Sequence, residues 1–361
     1  MKICFISEAK SIHTQRWASS LGKAGCNIHL VSSSEADIQN VKIYHLPIYC
    51  HNPLQQIFNN YRVKRVFNEI KPDIFHLFGL FSMSSFGTML LTRRLNNLII
   101  SVWGSDVVRT TNRESAKSLF IKKYLLNKAD YLISTSNYLT LEIQKYLHRS
   151  IEIDTIPWGV DLDKFYPESK QHDQEILKLG FAKKLHKIYA PDIVLKAFKF
   201  ASDRCNKKII LRIAGDGPMT SHLKNEAMKL GVANHIDWLG WLQTSNDLRK
   251  FYNSIDIFLM PSRRESFGVS AVEASASGLP VIASKFGGIP EIIINQENGL
   301  LVDPEDFEGL GKAIILLAEN EELRLKMGAK GRKYVKEKFD WNLSVDKMLK
   351  IYEKFKKEKN N

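Results

Sequence analysis

A chain of 361 residues, 44% of them hydrophobic, is long enough for two domains with full cores, which excludes both a disulfide-stapled miniprotein and a disordered tail. Its 52 Lys and Arg against 39 Asp and Glu leave a formal net charge of +13, so an anionic partner is expected: nucleic acid, an anionic membrane surface or a phosphorylated substrate. No run approaches the ~18 apolar residues of a membrane span, and Cys4, Cys26, Cys50 and Cys205 lack the Cys-x-x-Cys spacing of a zinc site.

In chain order, Met1-Lys2-Ile3-Cys4-Phe5-Ile6-Ser7 reads as a first strand, too short and too soon polar for a signal peptide, so a cytoplasmic protein is expected. Ser11-Ile12-His13-Thr14-Gln15-Arg16-Trp17 then lies between that strand and a helix at 14–24, with Thr14 as the expected cap. His13 reads equally as a polar contact for a ligand. Strands are expected at 27–32, 74–77, 98–102 and 131–134, and a helix at 62–70. Residues 62–67 and 113–128 interleave basic with apolar residues, the pattern of a basic amphipathic helix that docks on a membrane or simply of a solvated helix face. Asp161-Leu162-Asp163 follows Pro157-Trp158-Gly159 and reads as structural capping rather than a metal site, so no metal is expected. The polar stretch at 165–173 marks a domain boundary.

Beyond it, strands at 175–180, 208–214, 236–239, 255–260, 280–283 and 299–302 alternate with helices near 191–201 and 221–230. Two alternating blocks imply an α/β protein with two Rossmann-like domains, here 1–168 and 169–340, followed by a helix and Lys-rich tail at 341–361. Gly215-Asp216-Gly217-Pro218 follows a strand like a phosphate loop, but lacks the third glycine of a dinucleotide fingerprint.

The richest stretch is Pro261-Ser262-Arg263-Arg264-Glu265-Ser266-Phe267-Gly268-Val269-Ser270-Ala271-Val272-Glu273-Ala274. It reads as strand, loop and helix, with Val269 opening a helix that Gly278 ends. Free backbone NH groups and the positive end of the helix dipole suit a diphosphate. Glu273 sits among Ala271, Ala274, Ser275 and Ala276, so its carboxylate is expected to be buried and to need donors such as ribose or sugar hydroxyls. The competing reading pairs Glu265 and Glu273 with Arg263 and Arg264.

With the flanking segments "LRIAGDGP", "IDWLGWL", "DIFLMPSRRESFGVSAVEASASGLPVIASKFGGIPEII" and "NGLLVDP", in that order, the chain resembles the C-terminal half of family 4 glycosyltransferases, the glycosyl transferases group 1, which are retaining enzymes of the GT-B fold. The resemblance implies that Glu265 contacts donor-sugar hydroxyls and that Glu273 binds the ribose. It implies further that Ser266, Phe267, Gly268 and Val269 offer backbone groups to sugar and diphosphate, and that Gly215, Gly217, Leu239 and Trp241 lie beside the nucleotide. Relatives place an arginine and a lysine after the first strand of the second domain. This chain has Lys183, Lys184 and Lys187 there, with the family lysine aligned on Lys187 or Ile188. Lysine supplies charge without the bidentate fork of arginine.

The same resemblance puts an acceptor site in the N-terminal domain, at the carboxyl ends of its strands, with His13, Arg16, Trp103 and Asp106 as candidates. Trp103 stands where many relatives have a histidine, and reads either as a platform for a sugar ring or as core packing. The last helix is expected to cross back onto that domain. The implied reaction is hexosyl transfer from a nucleoside-diphosphate sugar, as co-substrate and without a cofactor, to a saccharide acceptor. That acceptor is expected to be lipid-linked, in surface polysaccharide or lipopolysaccharide synthesis on the inner face of the cytoplasmic membrane. Nucleic acid is not an expected partner. The rival readings are a GT-B sugar-nucleotide epimerase and a non-catalytic basic membrane-binding module.

Overall fold

The computed structural model describes residues 1–46, 53–80, 95–108, 115–168 and 175–358. Cys50 and the residues 169–173 of the expected boundary lie outside them, as do residues 113–114 of the second basic helix and residue 359 of the tail. The chain divides into two compact units, residues 1–157 with 344–361, and residues 158–343.

The first unit is built on parallel strands β1 (Lys2–Ile6), β2 (Asn27–Ser32), β3 (Val41–His45), β4 (Ile74–Phe78), β5 (Leu98–Ser101), β6 (Tyr131–Ser134) and β7 (Ile153–Thr155), in the order β3-β2-β1-β4-β5-β6-β7. Strands β5 and β6 are buried at every position, which is why they read as uninterrupted apolar runs. Strand β3 is an edge strand with no fully buried residue, so its sequence carries no such run. Helices α1 (Ile12–Lys23), α2 (Pro53–Ile70), α3 (Ala116–Leu126) and α4 (Asn137–Gln144) follow the strands. Ser11, not Thr14, caps α1 by accepting the Thr14 amide. Thr14 is itself buried, its hydroxyl 2.7 Å from that of Ser7.

Helix α2 keeps Lys64 and Arg65 exposed and buries Val63, Phe67 and Ile70, the expected amphipathic pattern. Helix α3 departs from it. Lys122 is buried, donating to the Val107 carbonyl (3.4 Å) and lying 5.0 Å over the Tyr146 ring, while Phe120 is 63% exposed. A lysine stem can line a core if its ammonium finds acceptors, and this one does.

The second unit repeats the strand order. Strands β8 (Ile176–Ala182), β9 (Lys208–Ala214), β10 (Ile236–Gly240), β11 (Ile257–Met260), β12 (Val281–Ser284) and β13 (Gly299–Val302) form a parallel sheet ordered β10-β9-β8-β11-β12-β13. Its helices are α5 (Pro191–Ser202), α6 (Thr220–Lys229), α7 (Ser245–Asn253), α8 (Val269–Ala276), α9 (Phe307–Glu319) and α10 (Glu321–Lys338). Leu179, Phe181, Leu211, Ile257 and Leu259 pack with Phe198, Leu310 and Ile314 in its core.

The final helix, α11 (Trp341–Glu358), belongs to the first unit from Ser344 onward, as expected. Tyr352 bonds His76 Nδ1 at 2.5 Å, His76 Nε2 bonds Ser101 at 2.7 Å, and Lys354 pairs with Glu152. His76 is fully buried and its pKa is lowered by that burial to about 3, so it is neutral in the fold. Among the described residues, no helix is long and apolar enough to cross a membrane.

Candidate active site

Strand β8 pairs in parallel with β9 on one side and β11 on the other, so the strand order reverses between β8 and β11. In parallel sheets, ligands bind beyond the carboxyl ends of the strands at such a point. Two loops leave the sheet there, one after Ala182 and one after Met260, and they carry Lys183 and Glu265. Lys183 Nζ donates to Glu265 Oε2 at 2.7 Å, with each side chain only 14% exposed. Burial alone would lower the Lys183 pKa, but the Glu265 carboxylate overrides it and the net shift is upward, so the ammonium stays charged through the ordinary lysine range. A pair this enclosed adds little net stability, because desolvating both charges offsets their attraction. Its consequence is placement: a cation and a carboxylate are held together at the switch point.

The lysine loop is held by close backbone approach. A Cβ at Gly215 would stand 2.0 Å from the Lys183 carbonyl oxygen, and one at Gly217 would stand 2.5 Å from that of Leu185. The Gly215 amide donates to Gly240 O at 2.7 Å and the Gly217 amide to Asp216 Oδ1 at 2.7 Å. These amides are therefore engaged within the protein rather than presented to a phosphate. The expected loop is present, and it serves the lysine.

Arg263 does not pair with either glutamate of the motif. Its guanidinium takes Asp192 in two bonds of 2.7 Å, reaches Glu305 and donates to the Lys187 carbonyl at 2.7 Å. Its own amide donates to Ile188 O at 2.8 Å. This fork ties the Lys187–Tyr189 turn to the loop after β11. Ala190, next in sequence, is buried at φ 55°, a left-handed conformation that costs a non-glycine residue ~1 kcal/mol or more. Lys183 Nζ lies 5.0 Å over the Tyr189 ring. Lys184 and Lys187 are exposed; only Lys183 of the three reaches Glu265.

Gly268 at φ 117° makes the turn into α8, and a Cβ there would crowd Met260 Cε at 3.2 Å. The Phe267 ring is buried 5.7 Å from Phe339, and Gly288 N donates to Glu265 O at 3.4 Å, so the loop is anchored on both sides of Ser266. The first amides of α8, including that of Val269, have no acceptor within the helix. One turn in, Glu273 Oε2 accepts the Tyr252 hydroxyl at 3.0 Å. Tyr252 is fully buried, and burial with the Glu273 charge raises its pKa, which keeps it a donor. At the end of β10, beside the Gly215 turn, Leu239 and Trp241 are 38% and 58% exposed. Apolar surface left open next to the loop is what a stacked base needs.

In the first unit, His13 meets Trp103 edge to face with centroids 5.6 Å apart. Although His13 keeps an exposed side, desolvation and the Arg16 charge lower its pKa. Asp106 is only 3% exposed. Its carboxylate accepts from Leu80 N at 2.9 Å and Trp103 N at 3.3 Å, and burial raises its pKa. It therefore buckles two loops together rather than facing an acceptor, a correction to its reading as a binding residue. Asp161 accepts from Asp163 N at 3.2 Å and pairs with Lys164 at 3.1 Å, the structural role expected of it.

Comparison with known proteins places this geometry. Residues 163–334 match the model described as glycosyl transferases group 1, and residues 2–136 match that of glycosyl transferase 4-like proteins. An uncharacterized glycosyltransferase of Methanocaldococcus jannaschii is 29% identical over 89% of this chain and 87% of its own. The chain carries a group 1 glycosyltransferase domain over residues 163–334. Its fold is GT-B: sucrose-phosphate synthase from Thermosynechococcus elongatus superposes with TM-score 0.83 over 98% of each chain, at 18% identity. Anabaena HepE, solved in complex with UDP and glucose, superposes with TM-score 0.82 over 98% of this chain and 100% of its own, at 17% identity. Within this glycosyltransferase, three site residues escaped the sequence reading. Tyr189, Tyr252 and Asp192 lie 76, 13 and 73 positions before Glu265, and only the helix-opening Pro191-Asp192 carried a local signal.

Proposed function

We propose that this glycosyltransferase transfers a hexosyl group from a nucleoside-diphosphate sugar to a hydroxyl of a saccharide acceptor, with retention at the anomeric carbon and without a metal ion. The observation that carries the reading is the enclosed Lys183–Glu265 pair, 2.7 Å apart, at the switch point before the N-terminus of α8. Negative charge grows on the departing diphosphate as the glycosidic bond lengthens, and a preorganised cation together with a helix N-terminus opposes it most strongly in the transition state. Glu265 accepts hydroxyls of the sugar as it gains oxocarbenium character. Glu273, whose Oε2 accepts the Tyr252 hydroxyl, is the contact proposed for the ribose. The acceptor's proton leaves with the diphosphate oxygen on the same face, so no nucleophilic side chain is required. HepE was solved with UDP and glucose, which supports a nucleoside diphosphate at the equivalent place.

The acceptor we propose is lipid-linked, reached by peripheral docking at the cytoplasmic face of a membrane, because α2 presents Lys64 and Arg65 outward. The test is incubation with UDP-, GDP- and ADP-sugars, with and without saccharide acceptors and chelator, and proton NMR of the product. Transfer with the donor's anomeric configuration in chelator supports the reading. An isomerised donor without acceptor identifies an epimerase instead, and inversion or strict metal dependence overturns the stated mechanism.

A further inference from the structure

Among the described residues the ammonium at the switch point has two contacts, and they differ in what a donor does to them. One is Glu265, which on the reading above turns to the sugar's hydroxyls once a donor is bound. The other is the ring of Tyr189, 5.0 Å from Nζ to centroid, a contact that no anionic ligand competes for. Lysine ends in a point charge on a flexible stem, so a lysine that exchanges one anion for another keeps its place only if something else holds it. Much of the surrounding loop is spent on fixing that ring. The Tyr189 amide donates to His186 O at 2.9 Å, the Arg263 fork grips the Lys187 carbonyl, and strained Ala190 turns the chain into α5 directly after it. Tyr189 is half-buried and packs on the edge of the second unit's core, so the ring has little freedom.

We propose that Tyr189 is a positioning residue for the donor diphosphate: its ring is the platform that holds Lys183 while the ammonium exchanges Glu265 for a phosphate oxygen. This rests on the donor reading above. The ring is the operative part and the phenol oxygen is not, because the contact is to the aromatic face.

The test is calorimetric titration of the full chain with UDP, GDP and ADP, with uridine, guanosine and adenosine as phosphate-free controls. The proteins are wild type, Tyr189→Phe, Tyr189→Met, Lys183→Ala and Lys183→Ala/Tyr189→Met. Tyr189→Phe is expected to keep diphosphate affinity within about twofold, and Tyr189→Met to lose about tenfold, within the range of a partly desolvated cation–π contact. Nucleoside binding should not change, and Tyr189→Met should have no further effect once Lys183 is alanine. Equal losses in the Phe and Met variants, loss of nucleoside affinity alongside, or an undiminished effect in the Lys183→Ala background would overturn the platform. If Tyr189→Met does not fold, the Lys183 methylene protons in UDP-bound wild type and Tyr189→Phe decide: ring-current shifts in both support the platform, and ordinary shifts reject it. Wild type that binds none of UDP, GDP and ADP removes the donor reading, and the platform with it.

Discussion

At the carboxyl end of the second sheet, Lys183 faces Glu265 and Tyr252 faces Glu273, each pair within hydrogen-bond reach. At the same end of the first sheet, Asp106 is buried under the amides of Leu80 and Trp103, and Thr14 is spent on Ser7. The two sheets have one strand order in common. What separates them is the use of their polar groups: in one unit carboxylates meet a cation and a phenol around the turn into α8, in the other a carboxylate and a hydroxyl are buried in keeping loops in place. A shared topology fixes where a ligand can sit, and the loops decide whether chemistry is there.

The sharpest way to break this contrast is at the motif glutamates. Glu265→Ala should lower kcat about 10²- to 10³-fold with little change in nucleoside-diphosphate affinity, since its interactions strengthen as charge develops on the sugar. Glu273→Ala should instead weaken nucleoside-diphosphate binding about tenfold. Steady-state kinetics beside direct titration separates the two, and equal affinity losses would end the division of labour. In the first unit the expectation is reversed. Asp106→Ala removes the acceptor of the buried Leu80 amide and a partly buried contact to the Trp103 amide, and should cost about 1–3 kcal/mol of stability in denaturant melts. The folded fraction should keep its kcat, and a selective rise in acceptor KM would return Asp106 to the binding site.

Acid provides the next test. His76 is held neutral in the fold, with its pKa lowered from 6.5 to about 3, whereas an unfolded histidine takes up a proton near its ordinary value. Stability is therefore whole above pH 6.5 and falls as pH drops toward 3, by at most ~1.4 kcal/mol per unit from this group. Thermal melts from pH 7 to 4 should show that slope and His76→Asn should flatten it; an unchanged slope rules His76 out. The smallest expected effect is at α2. Lys64→Glu with Arg65→Glu should reduce co-sedimentation with anionic vesicles at low salt, each basic residue contributing ~1 kcal/mol, while neutral vesicles are ignored. Wild type that ignores anionic vesicles would favour a soluble acceptor. Lys122 is not a useful position for that experiment, because its ammonium is buried on the Val107 carbonyl.

By itself the sequence determined the features that depend on neighbours along the chain. Parallel strands buried on both faces must be continuous apolar runs, so β5, β6, β11 and β12 were legible within about two residues. The glycine before Val269 and the one after Ser277 bracket α8, since both need positive φ, 117° and 78°. The spacing of Glu265 and Glu273 across that turn was legible for the same reason. Edge strand β3 and the cap at Ser11 were not, one lacking an apolar run and the other competing with Thr14 three residues on. Tertiary structure alone decided which of three lysines is the site cation, because Lys183, Lys184 and Lys187 are chemically identical and only the chain's path over Gly215 and Gly217 turns Lys183 toward Glu265. It likewise sent Arg263 to Asp192, set Tyr189 beneath the ammonium and Tyr252 against Glu273, and buried Asp106 and Lys122. Each of these is a contact between residues distant in sequence, and no local spacing encodes which of several equivalent charges will be desolvated and which left in water.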